Sequence, residues 1–449
     1  MLKTSRYNYI WPVDGCNKAV VFNSLSAASI EIKKIHLDLL NESNELDIEK
    51  LGEEKIKTAI ELKKYGFLIE DFVDELAILK FRNASGRFSK DTLALTIIPT
   101  YACNLSCFYC YQERSSNRIM SLEVQEGIVQ YTKNHVRGAR NVNVCWFGGE
   151  PLIAWDVIIS LSEKLMKAAE ENGCEYAATM VTNGYMLDDN KINKLEELKV
   201  KKVQITIDGP PELHSQRKGL KGDAKENFDK ILRVIERLMQ KDIKLSIRVN
   251  IDKSNAESIG ELLDILAKHP ACKANIYPAQ VTPYTEICKN VKSTCFDTQE
   301  FVEIEADFYE LLIKKGLKTD LSSAYPKPMM NFCGADQINS FTIEPEGYVY
   351  KCWNDIGSMD KAVFDIRKRE IAEIETKKMK MRHIKWVTWN PFEFAECLEC
   401  KVLPLCMGGC PYKYKVMNNN SPDCLTIKNN LERMVMNNYY CLKVKSLFE

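Results

Sequence analysis

Six times between about residues 91 and 279, a short and nearly continuous apolar run gives way to an amphipathic stretch. No other feature constrains the fold as strongly. The apolar runs at 93–99, 142–147, 178–181, 203–207, 245–251 and 274–279 have the length and composition of strands buried on both faces. Segments between them, at 121–135, 155–171, 225–239 and 258–268, carry helical spacing. Buried strands joined by helices call for a parallel sheet with helices outside, so the chain reads as α/β with a partial (β/α)6 barrel over residues 90–280. Such folds gather their chemistry at the C-terminal ends of the strands.

The flanks read differently. Residues 1–89 pattern as a small α+β domain, with strands expected at 7–11 and 18–22 and helices at 27–40 and 47–64. Further short elements follow at 67–69 and 76–81, and Asn83-Ala84-Ser85-Gly86 reads as a linker. Beyond the barrel, 281–324 is a bridging segment and 325–449 a cysteine-rich domain with little regular pattern. Its basic helix between 365 and 386, with Lys368, Arg369, Lys377, Lys378 and Lys380, reads as a solvated face.

Composition narrows the function. Lys plus Arg and Asp plus Glu number 62 each among 449 residues, so bulk charge recommends no nucleic-acid partner. No apolar run approaches membrane-spanning length and no signal core follows Met1, so a soluble, cytoplasmic protein is expected, with no membrane partner. The chain nevertheless holds 17 cysteines and only five histidines. In a reducing compartment, clustered cysteines without neighbouring histidines favour all-thiolate metal sites over disulfides or mixed zinc sites.

Three of these cysteines, Cys103, Cys107 and Cys110, follow directly on the first barrel strand. A [4Fe–4S] cluster takes four ligands, so three thiolates leave one iron open to bind and activate a small molecule. A structural zinc site would need a fourth ligand that this run does not supply.

Cys-x3-Cys-x2-Cys with Tyr109 before the last cysteine resembles the signature of the radical S-adenosylmethionine (SAM) enzymes. The resemblance implies a radical SAM barrel whose open iron chelates SAM and whose cluster cleaves it to a 5′-deoxyadenosyl radical. The catalytic cluster would then rest on Cys103, Cys107 and Cys110, with Tyr109 against the adenine. Gly148-Gly149-Glu150 after the second strand is similar to the family's motif for the SAM amino group. By the same resemblance Thr182 and Asn183 after the third strand, Thr206 and Asp208 after the fourth, and Arg217 beyond it are cofactor-binding candidates. Arg217 would contact the SAM carboxylate, with a surface ion pair as the competing reading.

The tail, with Cys333, Gly347, Cys352, Cys397-x2-Cys400-x5-Cys406-x3-Cys410 and Cys424, resembles the SPASM domain. This implies two auxiliary [4Fe–4S] clusters, three in all. One would take Cys397, Cys400, Cys406 and Cys424. The other would take Cys333, Cys352 and Cys410, leaving Cys288, Cys295 or an open iron to complete it. Two zinc ribbons are the competing reading. Cys16, Cys145, Cys174, Cys272 and Cys441 read as buried small apolar residues.

The N-terminal domain is similar in outline to the winged-helix recognition domain of peptide-modifying enzymes, which binds a leader peptide as an added strand. Its 14 basic and 14 acidic residues over 1–90 argue against a DNA reader. Together these resemblances imply an enzyme that cross-links a ribosomally synthesised precursor peptide, by thioether first and carbon–carbon bond second. Its electrons would come from a flavodoxin or ferredoxin. An anaerobic sulfatase-type maturase forming formylglycine is the alternative enzyme, and a non-catalytic metal-bound peptide scaffold the alternative outside catalysis.

Overall fold

The computed structural model describes all residues except 42–45, 113–116, 270–273, 318–324, 368–372, 418–421 and 447–449. Cys272, Lys368 and Arg369 therefore lie outside the described residues. The chain divides into two compact units. One comprises Met1–Arg87, Thr319–Phe332 and Asn390–Glu449, the other Phe88–Lys318 and Cys333–Trp389. These units cut across the expected boundaries: Asn390–Glu449 falls with the N-terminal region and Cys333–Trp389 with the barrel.

In the first unit, β1 (Leu2–Thr4) pairs antiparallel with β5 (Leu68–Glu70). A separate antiparallel sheet runs β2 (Asn8–Pro12), β3 (Lys18–Asn23), β4 (Ser29–Lys33). Helices α1 (Glu53–Lys64) and α2 (Glu75–Phe88) complete the N-terminal part. The segment expected as a helix over 27–40 is instead β4 and a 3-10 turn, Lys34–Leu40. Ala27 takes a φ of 59°, which no right-handed helix tolerates, and β4 then pairs along β3 with Glu31 opposite Val20. The expected linker 83–86 is the last turn of α2. Asn83 Nδ2 donates to the Met330 carbonyl at 2.7 Å, and a Cβ on Gly86 would sit 2.5 Å from Met330 Cβ.

The second unit holds the barrel. Strands β6 (Thr92–Ile97), β7 (Asn141–Trp146), β8 (Glu175–Thr182), β9 (Val200–Thr206), β10 (Lys244–Ile251) and β11 (Asn275–Gln280) lie in chain order, all parallel. They fall where the apolar runs place them. Crossing helices α3 (Leu122–His135), α4 (Trp155–Glu170), α5 (Asp189–Glu197), α6 (Pro211–Lys218), α7 (Ala224–Met239), α8 (Ile259–Ala267) and α9 (Thr298–Lys314) accompany them. A further strand, β12 (Ser340–Ile343), adds parallel to β6, and β13 (Tyr348–Tyr350) and β14 (Phe364–Asp365) continue antiparallel. The basic helix α10 (Glu373–Val387) closes this unit.

The first unit ends in short helices Ala395–Leu398 and Leu403–Cys406 and the long helix Ile427–Ser446. Cys397, Leu403 and Met407 share a core with Tyr7 and Leu79 of the N-terminal part. Val402, Leu405, Leu431 and Val435 share another with Val13, Val20 and Phe22. Burial on both sides of each seam is what fuses tail and N-terminus. Among the described residues no helix is long and apolar enough to cross a membrane.

Candidate active site

The ends of the first four barrel strands gather around the Cys103–Cys110 loop and the run that leads into it. From β6 the chain runs through Thr100, Tyr101 and Ala102 into Cys103. The loop after β7 packs beneath that run. A Cβ on Gly149 would stand 2.3 Å from the carbonyl oxygens of both Tyr101 and Ala102, and one on Gly148, at φ +130°, would meet Thr100 O at 2.7 Å. Both glycines are thus required for the close approach of two protein backbones. The Glu150 amide then donates to Ala102 O at 2.8 Å.

Glu150 is wholly buried. Its carboxylate accepts from the Thr182 hydroxyl at 2.7 Å, the Asn183 amide at 2.8 Å and the Leu152 amide at 3.1 Å. Burial outweighs these bonds and pushes its carboxyl up to about 7. No Lys or Arg among the described residues pairs with it. Asn183 reaches on to the cysteine loop, donating from Nδ2 to Asn104 Oδ1 at 2.8 Å. The Cys103 thiol, raised by burial to about 11, lies within electrostatic reach of Cys107, Cys110 and Glu150.

At the end of β9, Asp208 is also fully buried. It accepts from the Tyr109 hydroxyl, and the Lys218 ammonium stands 3.0 Å away. Burial pulls its pKa up, but Lys218, His214 and Arg217 outweigh that and hold it below the usual carboxylate range. Thr206, at the last position of β9, has Arg248 of β10 as its cross-strand neighbour.

Arg217 departs from its expected place. Its Nη1 lies 2.9 Å and its Nη2 3.1 Å from the two oxygens of Asp252, and further bonds go to Ser254 and the Asn250 carbonyl. The pair is buried rather than on the surface, and both terminal nitrogens are committed, so the guanidinium is not free to face a cofactor carboxylate. Arg248 is the residue the sequence reading missed. It donates from Nε to Asn250 Oδ1 at 2.8 Å and has no acidic partner among the described residues. The available signal was an Arg and an Asn alternating within the apolar run 245–251.

In the tail, Cys397, Cys400, Cys406 and Cys424 lie within one another's electrostatic reach. Burial raises Cys397 to about 11 and Cys406 to about 12. Gly409 seats this loop against the segment bearing Cys424, since a Cβ there would fall 1.9 Å from Asp423 O. Cys410 belongs to the same unit, whereas Cys333 and Cys352 belong to the barrel unit, so that set rests on sequence spacing alone. Cys288 and Cys295 pack with Tyr109 and Tyr111, beside the barrel's cysteine loop. Cys174 is buried as expected, but Cys16 is exposed, and Cys145 and Cys441 are only partly covered. Among the described residues no three Cys, His, Asp or Glu are drawn to the spacing of a single ion.

These donors fit the cofactors a radical SAM enzyme uses. Three sulfurs share one loop, a buried carboxylate without a cation suits an ammonium, and Arg248, without an anion, suits a carboxylate.

Comparison with known proteins agrees. Residues 97–266 match the family model described as the Radical SAM superfamily. The chain is 28% identical over 182 residues to an Fe-coproporphyrin III synthase of Methanosarcina barkeri, covering 40% of this chain and 42% of that protein. It is 26% identical over 219 residues to the sporulation killing factor maturation protein SkfB of Bacillus subtilis, 47% of this chain and 48% of that one. A serine-type anaerobic sulfatase-maturating enzyme of Klebsiella aerogenes is 20% identical over 335 residues, 71% and 79% of the two chains. The chain thus spans less than half the length of the first two of these relatives. In fold it is similar to native anSMEcpe with bound AdoMet (TM-score 0.58, 21% identity, 79% of this chain and 100% of that one). It is also similar to Streptococcus suis SuiB bound to precursor peptide SuiA (TM-score 0.52, 16% identity, 95% and 99%). The segment 97–266, from the end of the first barrel strand through the helix before the sixth, is a radical SAM domain.

Proposed function

We propose that the protein is a radical SAM maturase that cross-links a ribosomally synthesised peptide. The observation that carries this reading is the convergence of the Gly148–Glu150, Thr182–Asn183 and Asp208 motifs on one loop of three cysteines. A [4Fe–4S] cluster with SAM bound there would supply one-electron radical chemistry able to act on an unactivated C–H bond.

The chain's own residues do the rest. Cys103, Cys107 and Cys110 hold the cluster. Glu150 receives the SAM ammonium, held in place by the Thr182 hydroxyl and the Asn183 amide. Arg248, rather than Arg217, is the cation beside Thr206 for the SAM carboxylate. Ile98, Tyr101 and Phe147 with Tyr111, Val181 and Ile356 form an apolar lining that keeps water from the site. Cys397, Cys400, Cys406 and Cys424 hold one auxiliary cluster.

A peptide substrate is supported by the SkfB relative and by the fold likeness to SuiB, which covers 95% of this chain. The alignment to the sulfatase-maturating enzyme supports formylglycine formation as the second reading. The test is anaerobic turnover with dithionite, SAM and the peptide encoded beside the gene. A thioether product loses two hydrogens and leaves a cysteine that iodoacetamide no longer labels. An aldehyde captured by a hydrazine would favour the second reading, and absence of 5′-deoxyadenosine would remove both.

A further inference from the structure

The Cys103–Cys110 loop is braced both from within and from outside. Within it the Cys110 amide donates to Cys107 O at 3.2 Å, and the Leu105 amide meets Cys103 Sγ at 3.5 Å. Besides the Asn183 bond to Asn104 and the packing of Tyr109 with Cys288 and Cys295, several of its outside contacts fall on the end of one helix. The Ser106 amide donates to Lys218 O at 3.0 Å. Gly219, the left-handed cap of α6 at φ 64°, presses so closely on Ser106 that a Cβ would fall 1.9 Å from its Oγ. Lys218 Nζ donates to the Tyr109 hydroxyl at 2.6 Å, and that hydroxyl in turn donates to Asp208. The Arg217 guanidinium lies 4.9 Å from the Phe108 ring centroid and 5.5 Å from that of Tyr109.

Three consecutive residues therefore grip the loop by three physical means: a charge-assisted hydrogen bond, a steric stop and cation–π contact. Lys218 and Arg217 are themselves fixed by Asp208 and Asp252, both fully buried.

We infer that Arg217, Lys218 and Gly219 at the end of α6 form a preformed dock that sets the conformation of the cysteine loop before any cofactor is loaded. Lys218 is a positioning residue acting through Tyr109. The value of the dock to catalysis rests on the cluster reading above, but its existence can be measured without it.

The experiment uses the full-length, metal-free protein under anaerobic conditions and follows iodoacetamide labelling of each cysteine by peptide mapping. Tyr109→Phe removes only the hydroxyl that ties the loop to the Asp208–Lys218 pair, so the fold is kept. Lys218→Met removes the ammonium itself. Both should label at Cys107 and Cys110 at least three-fold faster than the parent chain, while buried Cys174 stays as slow as before. After reconstitution, Tyr109→Phe should also show a broadened electron paramagnetic resonance signal from the loop's cluster. Unchanged labelling of Cys107 and Cys110 in Tyr109→Phe would overturn the dock, as would an equal rise at Cys174, which reports general loosening. Faster loop labelling in a protein whose parent loop takes up no iron would uphold the dock and defeat the cluster reading.

Discussion

Arg217 and Asp252 meet as a bidentate pair with both side chains removed from water, the guanidinium nitrogens 2.9 and 3.1 Å from the two carboxylate oxygens. Breaking such a pair leaves the survivor charged and buried. Arg217→Met should therefore destabilise the chain by about 3–5 kcal/mol. Asp252→Asn in the same chain should recover much of that loss. Chemical denaturation of the single and double variants checks it.

Gly149→Ala should prevent the barrel from closing over its cysteine loop. The added carbon has 2.3 Å to the Tyr101 and Ala102 carbonyls, which are backbone and cannot rotate away. Gly138→Ala is a stringent control, because its φ of +82° penalises any side chain, as the backbone at Gly149 does not, but the space around it is open. The control should lose about 1–2 kcal/mol, and Gly149→Ala clearly more, read as the difference in melting temperature.

Glu150 gives the protein a pH dependence opposite to that of a paired carboxylate. Burial raises its carboxyl to about 7 in the folded chain, while in the unfolded chain it ionises near the usual ~4.3. Between those values the folded state holds a proton that the unfolded state has released. Its contribution to stability therefore falls as pH rises from about 4.3 to about 7, by about 4 kcal/mol, and then levels. Glu150→Gln abolishes that slope, so the variant should gain on the parent chain between pH 5 and pH 8. Urea denaturation of the metal-free protein at the two pH values measures this.

Removing residues 1–85 should not yield a trimmed enzyme with an intact tail. Tyr7 and Leu79 are part of the core that covers Cys397, Leu403 and Met407, and Val20 and Phe22 part of the one that covers Val402, Leu405, Leu431 and Val435. The deletion exposes both apolar surfaces, so limited proteolysis should cut rapidly within 390–446. A protease-resistant tail would contradict the fusion of these segments.

The barrel was legible because each strand is a compact apolar run and each motif follows one directly. Elsewhere the decisive partner lies far off in sequence. Residues 83–86 carry linker composition, yet they are helical, with Asn83 and Gly86 seated against Met330. Ile30 and Ile32 suit a strand as readily as a helix, and pairing with β3 decides between them. Arg217 reads as a SAM-carboxylate contact or a surface ion pair because nothing within thirty residues announces Asp252. Tyr109 was read as an adenine neighbour, and its hydroxyl bond to Asp208, 99 positions away, left no trace in local pattern. β12 was missed because its four residues are too short to stand out, and only its place beside β6 makes it a strand.

The most direct measurement is 5′-deoxyadenosine formation by anaerobically reconstituted, dithionite-reduced protein supplied with SAM, set beside Cys107→Ala treated identically. The parent chain should form the nucleoside and the variant none, with about four fewer irons. Formation by the variant, or by neither protein, would contradict the assignment of Cys103, Cys107 and Cys110 as the seat of the chemistry.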